Sequence, residues 1–184
     1  KEGLGNNILK KLNLKKKKDD SENWEKWVNI AKNLKEEIVI SIVGKYIQLN
    51  DSYKSLYEAL FHAGVENNLK VKLDLVESED LLKCDLMERF KLSHAILVPG
   101  GFGIRGIDGM IKAVEYSRIN KIPFLGICLG MQIASIEFIR NVAEIKDADS
   151  VEFNKYTLNK IFLKLKELVN IKEVGHNMRL GKYK

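Results

Sequence analysis

One cysteine stands between two glycines at the point where an apolar stretch meets a helical pattern. Cys128 lies in Gly-Ile-Cys-Leu-Gly, residues 126–130, after the apolar run 122–127 and before a helical repeat over 129–141. This spacing is the thiol counterpart of the nucleophile elbow, in which the nucleophile occupies a strained turn and its neighbours must lack bulk. A helix amino terminus also favours the nucleophilic thiolate. The pattern predicts nucleophilic chemistry at Cys128, against the alternative of a small core residue.

A second glycine pair could supply the amide donors that such a nucleophile needs. Gly100 and Gly101 lie in the turn 99–103, directly after another apolar stretch. Adjacent glycines leave backbone amides unshielded, and one of these amides together with that of Leu129 would form an oxyanion hole. Alone, the pair would indicate a plain glycine-rich turn. The presence of Cys128 favours the functional interpretation.

Alternating strand and helix patterns must position these two turns. Strands are predicted at 38–43, 71–76, 94–98 and 122–127, the last buried on both faces, and helices at 53–63 (ended by Gly64), 81–90, 109–119 and 129–141. This order predicts the α/β class, with a doubly wound, mostly parallel sheet and helices on both faces. Ligands of such sheets bind beyond the carboxyl ends of the strands, where Gly44, Gly100 and Cys128 all lie.

The first part of the chain has a different pattern. A short amphipathic helix is predicted within 1–14, followed by a charged linker at 15–20. Ser21 has the character of an N-cap for a second helix, in which Trp24 and Trp27 recur at helical spacing. We therefore expect these tryptophans to pack against a neighbouring surface.

Composition narrows the function classes. The 184 residues carry a net charge of +6, of which residues 15–18 alone contribute four positive charges, so no nucleic-acid partner is expected. No apolar run is long enough for a membrane span, and no signal peptide is recognisable, so no membrane association is expected. The two cysteines, Cys84 and Cys128, fit a reducing, cytoplasmic setting. No metal site is predicted.

A longer signature runs through the chain in several separate segments. Its parts are GKY at 44–46, DSYKS at 51–55, ILVPGGFG at 96–103, RG at 105–106, GICLGMQ at 126–132 and MRLG at 178–181. Together these segments resemble the glutamine amidotransferase domain of the CTP synthase family, within the class I amidotransferases. The resemblance extends over about residues 37–153 and is taken up again at 178–181.

The resemblance implies a role for individual residues. Cys128 is the implied nucleophile that forms a glutamyl thioester, and Gly100, Gly101 and Leu129 are the implied oxyanion hole. The residues implied to bind L-glutamine are Gly101, Leu129, Gly130, Met131, Gln132 and Glu152. Glu152 would hold the α-amino group of the substrate, since a carboxylate suits an ammonium partner.

The resemblance also implies a larger enzyme. Residues 1–36 would be the end of a synthase domain with interdomain linker helices, and residues 37–184 a glutamine amidotransferase domain incomplete at its C-terminal end. The synthase domain would use ATP and Mg²⁺ to convert UTP into CTP with the released ammonia, whereas the amidotransferase domain itself needs no cofactor. The family further implies a homotetramer and GTP as an allosteric activator.

One part of the family pattern is not found. The family's general base belongs to a His-Pro-Glu motif, and the substrate carboxylate is held by an arginine; neither has a counterpart before Lys184. His62, His94 and His176 are not expected to replace the base, so the 184 residues alone are expected to fold without turning over glutamine. Two alternatives stay open: another hydrolase with a cysteine elbow, which strict dependence on glutamine would exclude, and a non-catalytic regulatory module that keeps the fold.

Overall fold

The computed structural model of the chain describes residues 3–15, 21–47 and 51–163. The helices are Leu4–Lys11 (α1), Ser21–Lys32 (α2), Lys54–Glu66 (α3), Leu86–Arg89 (α4), Ile107–Asn120 (α5) and Leu129–Asn141 (α6). The strands are Glu36–Gly44 (β1), Leu69–Glu77 (β2), Ala95–Val98 (β3), Phe124–Gly126 (β4), Asp149–Ser150 (β5) and Lys160–Phe162 (β6). The predicted motif at 178–181 and His176 lie outside the described residues. No helix within the described ranges is long and apolar enough to cross a bilayer.

A four-stranded sheet in the order β2-β1-β3-β4 carries the candidate site. Strands β1 and β3 are parallel, with Ile42 opposite Leu97, and β3 and β4 are parallel, with Val98 opposite Gly126. The carboxyl ends of these three strands therefore lie at one edge of the sheet, and the predicted α/β class with a parallel sheet is confirmed. Residues that follow the strands meet at that edge.

The buried core fixes the helices that follow β3 and β4. Val98, Met110 and Ile133 belong to one apolar cluster, and Val98 and Ile133 are fully buried. Helices α5 and α6 pack against each other and against β3. Burial of such side chains contributes roughly 1.5–3 kcal/mol each, so the start of α6 is held by the centre of the core.

Two predicted helices differ from the structure. Helix α3 does not end before Gly64 as predicted but continues to Glu66. A Cβ at Gly64 would lie 2.6 Å from the Leu69 carbonyl oxygen. This glycine therefore permits the close packing of the helix against the following segment. The predicted helix at 81–90 is instead a 3-10 helix, Ser78–Leu82, followed by α4, which Asp85 caps by accepting a hydrogen bond from the Met87 amide at 2.9 Å. The spacing of apolar residues does not reveal that the helix is interrupted between Leu82 and Leu86.

The predicted burial of the strand at 122–127 on both faces is also wrong. Strand β4 is the last strand in the order of the described sheet, and Leu125 is 54% exposed. Burial on both faces requires a packed layer on each side of the sheet, and none of the described residues covers the side chain of Leu125 in this way. The small pair β5 and β6, which is parallel, was not predicted, because strands of two and three residues leave no periodic pattern.

The described residues separate into two compact units, one drawn from Lys1–Glu37 and Glu58–Val71 and the other from Ile38–Tyr57 and Lys72–Lys184. In the first unit, Trp27 contacts Phe61 and His62 edge-on, at ring-centroid distances of 5.6 Å and 5.2 Å. The predicted packing of the tryptophans is confirmed for Trp27. It is wrong for Trp24, which touches Trp27 but is 66% exposed.

A charged network joins β1, β2 and α4 within the second unit. Asp74 accepts two hydrogen bonds from Arg89, at 2.8 Å and 3.0 Å, and one from the Ser41 hydroxyl at 2.7 Å. Burial alone would raise the pKa of Asp74, but the hydrogen bonds from Arg89 and Ser41 outweigh it and hold that pKa below its ordinary value. A depressed pKa means that the ionised carboxylate stabilises the fold.

We expect Asp74→Asn to lower the free energy of unfolding at pH 7 by about 1–2 kcal/mol, because a charged hydrogen-bond acceptor is lost at a partly exposed site. Since the pKa of Asp74 is lower folded than unfolded, its contribution is present above the unfolded pKa of about 4 and is lost as pH falls further. Urea unfolding at pH 7 and pH 3 measures the difference. Glu22→Gln, which removes the exposed pair with Lys26, is the control and should change stability by less than about 0.5 kcal/mol. A deficit for Asp74→Asn that is equal at both pH values would contradict this account.

Candidate active site

Cys128 occupies a strained turn between β4 and α6. Its backbone angles are φ 52° and ψ −101°, a conformation that costs a non-glycine residue on the order of 1–3 kcal/mol. Strand β4 ends two residues earlier, at Gly126, and α6 begins at Leu129, so Cys128 is the N-cap residue of that helix. Its side chain is exposed and forms no disulfide. The predicted elbow is therefore present in the backbone.

The flanking glycines are required by close backbone contacts. A Cβ at Gly126 would lie 2.5 Å from the carbonyl carbon of Gly130, and a Cβ at Gly130 would clash with the carbonyl of Val98. The chain closes the turn through hydrogen bonds from the Ile127 amide to the Val98 carbonyl and from the Gly130 amide to the Ile127 carbonyl, both 2.9 Å. A side chain at Gly130 would push α6 away from β3, and one at Gly126 would push α6 away from β4.

The glycine turn after β3 lies beside the cysteine. A Cβ at Gly100 would stand 3.6 Å from Cβ of Cys128, and one at Gly101 would stand 3.2 Å from Cδ2 of Leu129. The amides of Gly101 and Leu129 donate to none of the described residues. The structure thus brings the predicted nucleophile close to the residues predicted to supply the amide donors.

Lys45 is a residue of this site that sequence reasoning missed. It follows β1, is only 2% exposed, and its ammonium donates to the carbonyls of Gly103 at 2.8 Å and Arg105 at 3.1 Å. Burial lowers the pKa of Lys45, as does the nearby charge of Arg105, whereas Glu152 opposes the shift. The sequence shows a lysine directly after an apolar strand, at the edge where ligands bind, but that position alone does not predict its burial.

Glu152 is joined to the same loop. Its carboxylate accepts a hydrogen bond from the Gly103 amide at 2.8 Å, and its own amide donates to the Ser150 hydroxyl at 3.2 Å. Arg140, in the last turn of α6, holds the preceding segment through Asp149 at 2.8 Å and the Ala148 carbonyl at 2.7 Å. The helix that begins beside the cysteine therefore also anchors the segment that carries Glu152.

The other predicted substrate residues lie in the first turn of α6. Gly130 is buried against the carbonyl of Val98. Met131 is 48% exposed and Gln132 is half-buried. A pocket of about 370 Å³ is lined by residues of the elbow, of the turn after β3 and of the start of α3. Its lining residues are Ser52, Tyr53, Ser55, Leu56, Pro99, Gly100 and Ile127.

No histidine among the described residues is placed to serve Cys128. His94 directly precedes β3, at the opposite end of that strand from the site, and its Nδ1 accepts a hydrogen bond from the Val39 amide at 3.1 Å. His62 belongs to the first compact unit, where it contacts Trp27. The described ranges also contain no group of three or more His, Cys, Asp or Glu residues able to hold a metal ion.

Comparisons with known proteins agree with this geometry. A family model described as glutamine amidotransferase class-I matches residues 48–184. The CTP synthase of Cytophaga hutchinsonii is 47% identical over 184 residues, which are 100% of this chain and 34% of that protein. The CTP synthase of Koribacter versatilis is 46% identical over 182 residues, 98% of this chain and 33% of that protein. The chain thus spans about a third of the length of these relatives.

A solved structure gives the same result. The glutaminase domain of Trypanosoma brucei CTPS with bound acivicin matches with a TM-score of 0.62 and 39% sequence identity, over 67% of this chain and 48% of that one. Since the family model spans most of the chain, the chain belongs to the class I glutamine amidotransferases and contains the glutaminase domain of the CTP synthase family.

Proposed function

We propose that Cys128 hydrolyses L-glutamine and that the ammonia released is used to aminate UTP to CTP. The observation that carries the proposal is the strained backbone of Cys128 beside the amides of Gly101 and Leu129, which donate to no acceptor in the described part of the chain. A positive φ is unfavourable for a non-glycine residue and is common at functional sites. The position of a nucleophile beside two amide donors accounts for it here.

The reaction follows from this geometry in two steps. The thiolate of Cys128 attacks the carboxamide carbon, and the carbonyl oxygen becomes an oxyanion that the amides of Gly101 and Leu129 stabilise. Collapse of this intermediate breaks the carbon–nitrogen bond, and the nitrogen leaves as ammonia after gaining a proton. Water then attacks the thioester through a second oxyanion, releasing glutamate and restoring the thiol.

Substrate recognition is assigned to the residues around the elbow. Gly101, Leu129, Gly130, Met131 and Gln132 would line the glutamine site, with the carboxylate of Glu152 taking the substrate's ammonium group. The hydrogen bond between Glu152 and the Gly103 amide supports this role, because it brings the carboxylate to the loop that carries Gly101. Proton transfer is assigned to the histidine of the family's His-Pro-Glu motif, since neither His62 nor His94 is placed for it.

The remaining steps are proposed for a larger protein. We infer that residues 1–36 link a synthase domain to the glutaminase domain, residues 37–184, and that the synthase domain binds UTP, ATP and Mg²⁺. The described residues contain no group of three or more His, Cys, Asp or Glu residues that could hold a metal ion, so magnesium and ATP are assigned to the synthase domain. A cytoplasmic homotetramer activated by GTP completes the proposal, supported by the match to CTP synthases.

We expect Cys128→Ala to reduce glutamine-dependent CTP formation by roughly 10⁴-fold or more in the protein at its full natural length, because the thioester cannot form. CTP formation from added ammonia should be nearly unchanged. Cys84→Ala is the matched control, since Cys84 is equally free and exposed. The loss of both activities in a folded Cys128→Ala protein would mean that the cysteine has a structural role.

Gly101→Val tests the glycine turn. A Cβ at this position would lie 3.0 Å from Cε of Lys45 and 3.2 Å from Cδ2 of Leu129, so the larger valine crowds both side chains and is expected to shift the loop and its amide. The loss of one oxyanion donor predicts a fall in the kcat for glutamine hydrolysis of roughly 10²-fold to 10³-fold. Gly5→Ala, where a Cβ has open space, is the control. Near-normal turnover by a folded Gly101→Val protein would place the oxyanion hole elsewhere.

A further inference from the structure

Lys45 is a buried cation whose hydrogen bonds end on the loop that carries the candidate oxyanion donor. Its ammonium donates to the carbonyls of Gly103 and Arg105, at 2.8 Å and 3.1 Å, and the residue is 2% exposed. A buried charge is costly unless it is hydrogen-bonded, so the lysine and the two carbonyls hold one another in place. The loop after β3 is thereby tied to the end of β1.

The stem of the same side chain lies against Gly101. Cε of Lys45 is 3.0 Å from the position that a Cβ of Gly101 would occupy. On the other side of the loop, Glu152 accepts a hydrogen bond from the Gly103 amide at 2.8 Å. Gly103, two residues after Gly101, is thus held at its carbonyl by the Lys45 ammonium and at its amide by the Glu152 carboxylate.

A second set of contacts runs in the opposite direction. Arg105, from the loop, donates a hydrogen bond to the carbonyl of Lys45, and it also pairs with Glu77 at 3.1 Å and Glu79 at 2.8 Å. Lys45 and Arg105 therefore each bind the other's backbone. Two reciprocal contacts restrict the position of the loop relative to the end of β1 more than either contact would alone.

We propose that Lys45 is a positioning residue for the oxyanion hole: its ammonium fixes the loop 100–105 so that the Gly101 amide points at the oxyanion formed on Cys128. The inference rests on the proposed glutaminase function. Oxyanion donors act only within about 2.7–3.1 Å of the developing charge, and a displacement of about 1 Å can lower a rate by 10²-fold. Lys45 contributes through the loop, without touching the substrate.

The test is Lys45→Met in the protein at its full natural length. We expect kcat for glutamine hydrolysis to fall by roughly 10-fold to 10²-fold, with little change in KM for glutamine, because the oxyanion and not the bound substrate loses its donor. Alkylation of Cys128 by iodoacetamide, which passes through no oxyanion, should keep its rate. Lys45→Arg, which retains the charge and its donors, should recover part of kcat. Lys112→Met, at an exposed lysine on α5, is the control.

Two results would overturn the proposal. One is an unchanged kcat in folded Lys45→Met, and the other is a fall in iodoacetamide alkylation that parallels the fall in kcat, which would indicate collapse of the elbow. If circular dichroism shows that Lys45→Met does not fold, Lys45→Gln replaces it with the same expectation; failure of both to fold would assign the lysine to the fold as a whole. Absence of glutamine hydrolysis in the unsubstituted protein would instead contradict the proposed function itself.

Discussion

The candidate site depends on one close contact, between Cα of Gly130 in the first turn of α6 and the carbonyl of Val98 at the end of β3. There is no space between them for a side chain. Because α6 approaches β3 this closely, the chain must turn sharply after β4, and Cys128 takes the strained conformation at φ 52°. The buried cluster around Val98 and Ile133 supplies the packing energy that maintains this strain.

The second requirement of the site is that the loop 100–105 is held in one position beside Cys128. Glycines 100 and 101 allow a close approach, but their conformational freedom would leave the amide donors poorly oriented. Charged residues from two other segments, Lys45 after β1 and Glu152 after β5, hold the loop at Gly103. Packing therefore creates the elbow, whereas electrostatic contacts hold the loop that faces it.

The sequence alone was sufficient to predict the elements that are specified by nearby residues. The bounds of α6, the positions of β1 and β3 and the pairing of Cys128 with the Gly100–Gly101 turn all follow from periodicity and glycine spacing. The role of Lys45 could not be found in this way, because its burial depends on a loop 58 residues further along the chain. The broken helix at 78–89 and the exposed Leu125 likewise depend on tertiary position, which a linear pattern does not contain.

The central claim is that Cys128 forms a covalent bond to the glutamine side-chain carbonyl. Its most direct test is acid quenching of the protein, at its full natural length, during turnover of glutamine, followed by peptide mass spectrometry. The account predicts a glutamyl group on the peptide that contains Cys128, labile to hydroxylamine as a thioester is, and no such group on the peptide that contains Cys84. Glutamine turnover without any adduct on Cys128, or with the adduct on Cys84, would contradict it.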